Sequence, residues 1–321
     1  MPFLRRRDDG SREGREAAAA EQAASIEALE RGGLPLRAQQ RLAEFSADSL
    51  FTSDLSVNEF ALTHALGLRP LAQVMGSSIY HVGWQQSPGT WGSWQLGGVS
   101  QELTTLSEAW NTARRRAFGR LEQEARLLGA HAVVGVQLKT GRHDWAAGAI
   151  EYIAMGTAVR VEGAEPAEQP VLTDLSAQDY WQLSQAGYRP LGIVGASAVY
   201  YIVSGWQQRR AQQGLYSSWA NQELGDFTQG VYDVREAVIG RVSSDARNQG
   251  ASGMVGVSLA HTIEAREVDA GGSRRTDLVV TMHVLGTSIA ERHDATRELS
   301  PAVRLDLSAD PHPEHLLGGA S

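Results

Sequence analysis

The chain contains the same module twice, and this internal duplication constrains its fold more than any other feature. Asp54, Leu55 and Ser56 recur as Asp-Leu-Ser at 174–176, 120 residues later. Further matching stretches follow in the same order, with an offset that stays close to 120. They are 67–71 and 187–191, 83–86 and 205–208, and 101–103 and 222–224. A collinear series of this kind predicts two copies of one fold in tandem.

Each copy carries one long amphipathic helix. Apolar residues recur every three or four positions over 103–128 and again over 224–246, which is the spacing of a helix with one buried face. Gly129 and Gly250 follow these stripes at the position where helices commonly end in a left-handed residue. We therefore expect the two helices to be equivalent and to end at the glycines.

Three strands accompany each helix. The predicted strands cover 72–82, 134–138 and 150–159 in the first copy and 192–203, 255–259 and 278–289 in the second. A short helix precedes the first strand, because Ser56 lies three residues before Glu59 in a capping box, and Ser176 lies three before Asp179. The sequence therefore predicts an α+β fold in which each module places its long helix on a three-stranded antiparallel sheet. One helix covers one face of such a sheet, so each module is expected to pack on its neighbour or to oligomerise.

The repeat also divides the chain into domains. We expect an N-terminal helical extension over 1–50, a first module over 51–162 and a second module over 171–293. An acidic linker at 163–170 separates the modules. The polar, proline-punctuated tail at 294–321 is expected to be disordered.

One pattern in the first copy is typical of a known family. Residues 125–136 read Ala-Arg-x-x-Gly-Ala-x-Ala-Val-Val-Gly-Val, and a hairpin ending in Gly156-Thr157-Ala158-Val159 follows. With this pattern the sequence resembles the YbjQ family, small bacterial proteins described as heavy-metal-binding, over 71–161 and less closely over 191–292. The resemblance implies two tandem dodecin-like modules that assemble into rings, commonly pentamers. Two fused copies do not divide a five-membered ring evenly, so the ring size stays open.

Composition excludes several classes of protein. With 29 basic and 37 acidic residues the net charge is −8, so a nucleic-acid partner is not expected. The absence of cysteine rules out disulfides, thiolate zinc sites and cysteine nucleophiles. The longest apolar runs are too short for a membrane span, and no signal-peptide stretch follows Arg5, Arg6 and Arg7. We expect a cytoplasmic protein.

Motifs for catalysis and cofactor binding are missing from the sequence. Neither a G-x-S-x-G nucleophile elbow nor a phosphate-binding G-x-x-x-x-G-K-[ST] or G-x-G-x-x-G run occurs. We therefore expect no enzymatic activity and no cofactor. An enzyme with an active site formed between the two modules is an alternative.

The histidines are poor candidates for a metal site. His131 has Ser252 as its counterpart in the second copy, and His143 with Asp144 is predicted to sit at a hairpin turn. One histidine and one carboxylate are two ligands short of a closed site, so solvated residues are the favoured interpretation. His283 aligns with Ile153 and is expected to be a partly buried side chain with its hydrogen bonds satisfied.

The segments between first strand and long helix are unusually aromatic. They contain Trp84, Trp91 and Trp94 in the first copy and Trp206, Tyr216 and Trp219 in the second. Tryptophan is costly to expose, so these side chains form a subunit or inter-module contact, pack in the core, or receive a small ligand or lipid surface. We favour the contact between subunits or modules.

Three consecutive arginines lie on the first long helix. Of Arg114, Arg115 and Arg116, only the first recurs, as Arg235. A solvated helix face is the favoured interpretation, and an anionic partner is the alternative.

Together these observations predict a non-enzymatic, ring-like homo-oligomeric binding or assembly protein with an unidentified ligand or partner. The alternative is a metal-ion-binding or metal-responsive protein, which the family resemblance implies.

Overall fold

The computed structural model describes residues 12–44, 50–83, 100–143, 148–205, 223–270 and 273–292. The helices in these ranges are α1 (Arg12–Glu30), α2 (Leu36–Ala43), α3 (Val57–Ala65), α4 (Thr104–Leu127), α5 (Ala177–Gln185) and α6 (Gly225–Asn248). The strands are β1 (Leu68–His81), β2 (Ser100–Glu102), β3 (Ala132–His143), β4 (Ala149–Val161), β5 (Val171–Leu172), β6 (Tyr188–Ile202), β7 (Gly253–Ala270) and β8 (Ser273–Glu291). The α+β fold class predicted from the sequence is confirmed.

Two four-stranded sheets form, with strand orders β1-β4-β3-β5 (the first sheet) and β2-β6-β8-β7 (the second sheet). The prediction of three strands per sheet was wrong, because each sheet takes a short extra strand from the other half of the chain. Val171 and Leu172 of β5 pair parallel to Ala132 and Val133 of the first sheet. The three residues of β2 pair antiparallel to β6 of the second sheet. The two halves therefore exchange strands.

The long strands of the two sheets have matching irregularities. The register between β1 and β4 shifts between Pro70 and Ala72, and the register between β6 and β8 shifts between Pro190 and Gly192. The register of β3 on β4 and of β7 on β8 also shifts at corresponding places, beside glycines with positive φ. Bulges therefore occur at corresponding positions of the two sheets, so residues that match in sequence also have matching backbone geometry.

The elements stack in four layers. On one side, Ala117 and Leu121 of α4 join the core formed with Val74 and Ile150 of the first sheet. On its other side α4 packs against β6 of the second sheet. The opposite face of the second sheet is covered by α6, whose Val234 packs with the apolar side chains of β6 and β8. The order is first sheet, α4, second sheet, α6.

The repeated sequence motifs contact each other in both halves. The Thr157 hydroxyl donates to the Asp54 carboxylate and accepts from the Asp54 amide at 3.3 Å. Thr287 makes the same two contacts with Asp174, and its hydroxyl accepts from the Asp174 amide at 3.2 Å. The Asp-Leu-Ser and Gly-Thr motifs therefore recur together because one binds the other. The capping box of Ser56 also forms, with its hydroxyl accepting from the next turn's backbone.

None of the helices in the described ranges is long and apolar enough to cross a membrane.

Candidate functional site

The aromatic residues singled out in the sequence lie outside the described residues. They are Trp84, Trp91, Trp94, Trp206, Tyr216 and Trp219. Their role in a subunit contact, in the core or at a ligand therefore stays a prediction.

The metal candidates His131 and His143 lie near opposite ends of β3. His131 is half-buried, and its Nδ1 accepts a hydrogen bond from the Val161 amide at 3.2 Å, which ties it to the end of β4. His143 ends β3, but its side chain and Asp144 lie outside the described part of the chain. Within the described ranges, no group of three or more histidine, aspartate or glutamate side chains is placed to hold a metal ion.

The contact between the two halves contains several polar side chains that bind backbone groups. β2 pairs with one end of the β6 edge, and beyond it side chains of α4 form hydrogen bonds with the backbone of β6. The Ser107 hydroxyl accepts from the Val199 amide at 2.9 Å. Asn111 accepts from the Ser197 amide at 3.0 Å and donates to the Ser197 carbonyl at 2.8 Å. Backbone groups of an edge strand need such partners once they are buried, so these polar residues fasten the second sheet to α4.

An aromatic cluster lies at the centre of this contact. The His283 ring lies edge-on to Trp110 at 4.7 Å and to Tyr152 at 6.1 Å between ring centroids. Its Nδ1 is hydrogen-bonded to the Ser197 hydroxyl at 2.8 Å. Burial, helped by the nearby Arg114 charge, lowers the pKa of His283 to about 4. The prediction of a buried histidine with a hydrogen-bond partner is confirmed, and the imidazole is neutral near pH 7.

A hydroxyl bound to an imidazole is also the arrangement of a nucleophile and its base. Ser197 is completely buried, however, and the Trp110 ring packs against the imidazole. The Ser197–His283 pair is therefore a cross-strand contact between β6 and β8 of the second sheet, and its hydroxyl is closed off from solvent.

Arg114 differs from its prediction. A solvated position was expected, but the residue is only 7% exposed because the second sheet covers this face of α4. It donates to the Asn111 side chain at 3.3 Å, while its Nε has no hydrogen-bond partner among the described residues. Burial lowers the pKa of Arg114. Arg115, one residue on, is exposed as expected.

A cavity of about 430 Å³ opens between the edges of the two sheets, along β3 and β7. Leu138, Asp174, Ser258 and His283 are among its lining residues. Burial raises the pKa of the Asp174 carboxyl, and the Thr287 hydroxyl partly offsets this effect. The Asp174 carboxylate accepts a hydrogen bond from the Thr287 hydroxyl, and the His283 imidazole is hydrogen-bonded to the Ser197 hydroxyl. This cavity is the structural reason to keep a small ligand among the binding alternatives.

Comparison with known proteins identifies two groups of similar sequences. Residues 93–162 match the YbjQ family model, described as "Putative heavy-metal-binding", which confirms the resemblance for this part of the first copy. The encapsulin nanocompartment protein Rv1762c of Mycobacterium tuberculosis is 40% identical over 241 residues, covering 71% of this chain and 86% of that protein.

Two shorter relatives match less of the chain. A UPF0145 protein of Clostridium perfringens is 42% identical over 66 residues, which are 21% of this chain and 60% of that protein. UPF0145 protein TTHA1944 of Thermus thermophilus is 46% identical over 66 residues, 21% of this chain and 56% of that protein. No solved structure matches the chain.

Proposed function

Since the chain belongs to the family of the mycobacterial encapsulin nanocompartment protein Rv1762c, we propose that it is a non-enzymatic assembly protein. It would form homo-oligomers and serve as a component of a cytoplasmic nanocompartment. Its building blocks are two tandem dodecin-like YbjQ modules, 51–162 and 171–293. The corresponding bulges and the contacts between repeated motifs support this description of the modules.

The observation that carries the proposal is the outer face of the first sheet, which is exposed among the described residues. Met75 and Ile79 of β1 are 47% and 57% exposed. In the second sheet, Val199 corresponds to Ile79 by the offset of the repeat and is 0% exposed. An apolar sheet face left open beside an equivalent face that is buried is typical of a surface covered in an assembly.

The free edge of the second sheet supports the same proposal. β7 is the terminal strand of its sheet and runs for 18 residues. Val257, Leu259 and Ile263, which alternate along it, are all exposed. Long apolar edge strands pair readily with other chains unless they are covered, so an oligomer would protect this edge.

The native mass tests the proposal. Light scattering should return a multiple of the 34.7 kDa chain mass across micromolar concentrations. A constant mass of one chain over that range would refute self-assembly. The same sample should copurify with, or itself form, a nanocompartment when it is isolated without a tag from its natural source.

The second candidate function is metal binding, which the description of the matched family model favours. Elemental analysis of untagged protein purified without chelator tests it. Stoichiometric zinc, copper or nickel, lost on substitution of His131 or His143, would replace the assembly proposal with a metal-dependent one.

A further inference from the structure

We propose that the outer face of α6 docks on the outer face of the first sheet of a second copy of this chain. The contact would repeat the one that α4 makes with the second sheet inside a single chain. This inference rests on the proposed self-assembly and names the two surfaces through which it occurs.

The two long helices differ in how much of their surface is buried. Both have 24 residues, yet α4 buries twelve of them and α6 buries six. Each helix covers its own sheet with one apolar face. Ser107, Trp110 and Arg114 belong to the additional buried set of α4, and they lie against the second sheet. The helix α6 has the same position on its own sheet, but none of the described elements covers its other face as the second sheet covers α4.

Corresponding residues show that both surfaces of the contact are present and exposed among the residues that the structure describes. On the helix side, Asn111 binds the edge of β6, and its counterpart Tyr232 on α6 is 61% exposed. On the sheet side, Val199 is fully buried under α4, and its counterpart Ile79 is 57% exposed. Stacking one chain on the next would bury both counterparts at once.

The edges of the two sheets have the same geometry where the docking would occur. In the second sheet, Arg241 of α6 donates to the Ser197 carbonyl at 3.2 Å. In the first sheet, Arg120 of α4 donates to the Ser77 carbonyl. Ser77 and Arg120 are the repeat counterparts of Ser197 and Arg241. The edge of β1 therefore offers its Ser77 carbonyl to the corresponding arginine, as the edge of β6 does. The Arg120 guanidinium also donates to the Leu29 and Gly33 carbonyls at and after the end of α1, so the N-terminal segment lies beside this edge.

The exposed surfaces also favour a second copy of this chain over an unrelated partner. The face of α6 carries Arg235 at the place of Arg114, and both helices end at a left-handed glycine after the same number of turns. Because two different surfaces meet, the contact is head-to-tail. Repetition of such a contact closes into a ring if its rotation allows, and otherwise gives a filament.

Disulfide trapping tests the contact, because the chain has no cysteine of its own. Ser77→Cys combined with Tyr232→Cys copies the internal neighbours Ser197 and Asn111. Under mild oxidation this double variant should give a ladder of covalent oligomers on a denaturing gel, which collapses to one chain on reduction. The control pair Asn111→Cys with Ser197→Cys should close within one chain and give no ladder.

A matched negative control uses the same sheet position with another helix position. Ser244 is exposed on α6, and its counterpart Gln123 contacts the Gly32 carbonyl rather than the second sheet. Ser77→Cys with Ser244→Cys should therefore give no ladder. Each single variant should also stay uncrosslinked.

The outcomes separate this inference from the proposed function. A native mass of one chain refutes both. An oligomer in which the internal control pair crosslinks but the Ser77–Tyr232 pair gives no ladder overturns the docking surfaces alone. Covalent dimers from Tyr232→Cys by itself would indicate a two-fold contact between α6 helices and would overturn the head-to-tail arrangement.

Discussion

The close approach of α4 to Gly76 in the first sheet gives a specific stability prediction. Gly76 of β1 faces the helix, and a Cβ at this position would lie 1.9 Å from the Ala117 carbonyl oxygen and 2.6 Å from the Leu121 nitrogen. Both are backbone atoms that cannot rotate away. To reach ordinary van der Waals distance in Gly76→Ala, the helix must retreat by about 1.5 Å, which forfeits much of the dispersion energy along the contact.

The expected cost lies at the upper end of overpacking effects. Extra atoms in a packed core commonly cost about 1–3 kcal/mol, and more where the backbone must shift. Here α4 is held between two sheets, so it cannot retreat from the first without pressing on the second. We expect Gly76→Ala to lower the free energy of unfolding by about 3 kcal/mol or more. The midpoint of thermal unfolding should fall by about 4 °C or more.

Urea unfolding and thermal melts followed by circular dichroism measure this effect. The matched control is Gly119→Ala on the same helix, where an added Cβ meets no atom within 4 Å and should stabilise the helix by up to about 1 kcal/mol. The second copy already has Ala196 at the place of Gly76. If Gly76→Ala costs less than about 1 kcal/mol while the control stabilises, α4 does not lie as close to β1 as described.

Three further predictions concern buried charge, pH and assembly. Asp277→Ala removes the carboxylate that binds the Nε of Arg275 at 3.0 Å, in a pair whose side chains are 1% exposed or less. It should cost about 3–5 kcal/mol in urea unfolding because the buried Arg275 charge loses this carboxylate, as do the Tyr201 hydroxyl and the Ser204 amide, and a cost near zero would contradict the burial. The folded-state pKa of His283, about 4, lies below the ordinary histidine value of 6.5 because the ring is buried. Its contribution to stability is therefore fully present above pH 6.5 and lost as the pH falls towards 4. His283→Ile should flatten that part of the stability profile, and an unchanged profile would assign the acid sensitivity to other groups. Trp94→Ala and Trp219→Ala should lower the native mass with each module still folded, since a central interface tryptophan contributes on the order of 2–4 kcal/mol. A full-sized assembly with a lower melting temperature would instead assign both residues to the core.

Much of the fold follows from periodicity and local chemistry. The apolar stripe located α4 to within a residue or two, and Gly129 has the left-handed φ of 67° expected after it. The short strands β2 and β5 were missed. A strand of two or three residues has no alternation to detect, and it forms only because an edge from the other half of the chain is already in place.

The second buried face of α4 was also missed, for a reason that concerns polarity. Ser107, Asn111 and Arg114 interrupt the apolar pattern and therefore indicate solvent. In the structure the first two form hydrogen bonds with the backbone of β6. These bonds replace the ones that the same side chains would form with water on an exposed helix face. A sequence pattern does not distinguish these two partners. By contrast, the burial of His283 could be predicted because its counterpart Ile153 marked the position as a strand interior.

The exchange of short strands makes the order of synthesis important for this chain. The ribosome completes α4 more than 150 residues before the end of β8. At about 5–20 residues per second, the face of α4 that carries Trp110 waits on the order of ten seconds for its covering sheet. During that interval the nascent first half presents the same kind of surface that a finished neighbouring chain would bind. Correct pairing within one chain therefore depends on the second half emerging before another copy binds to α4. Polysomes that hold nascent chains close together would favour pairing of α4 with the second sheet of a neighbouring chain.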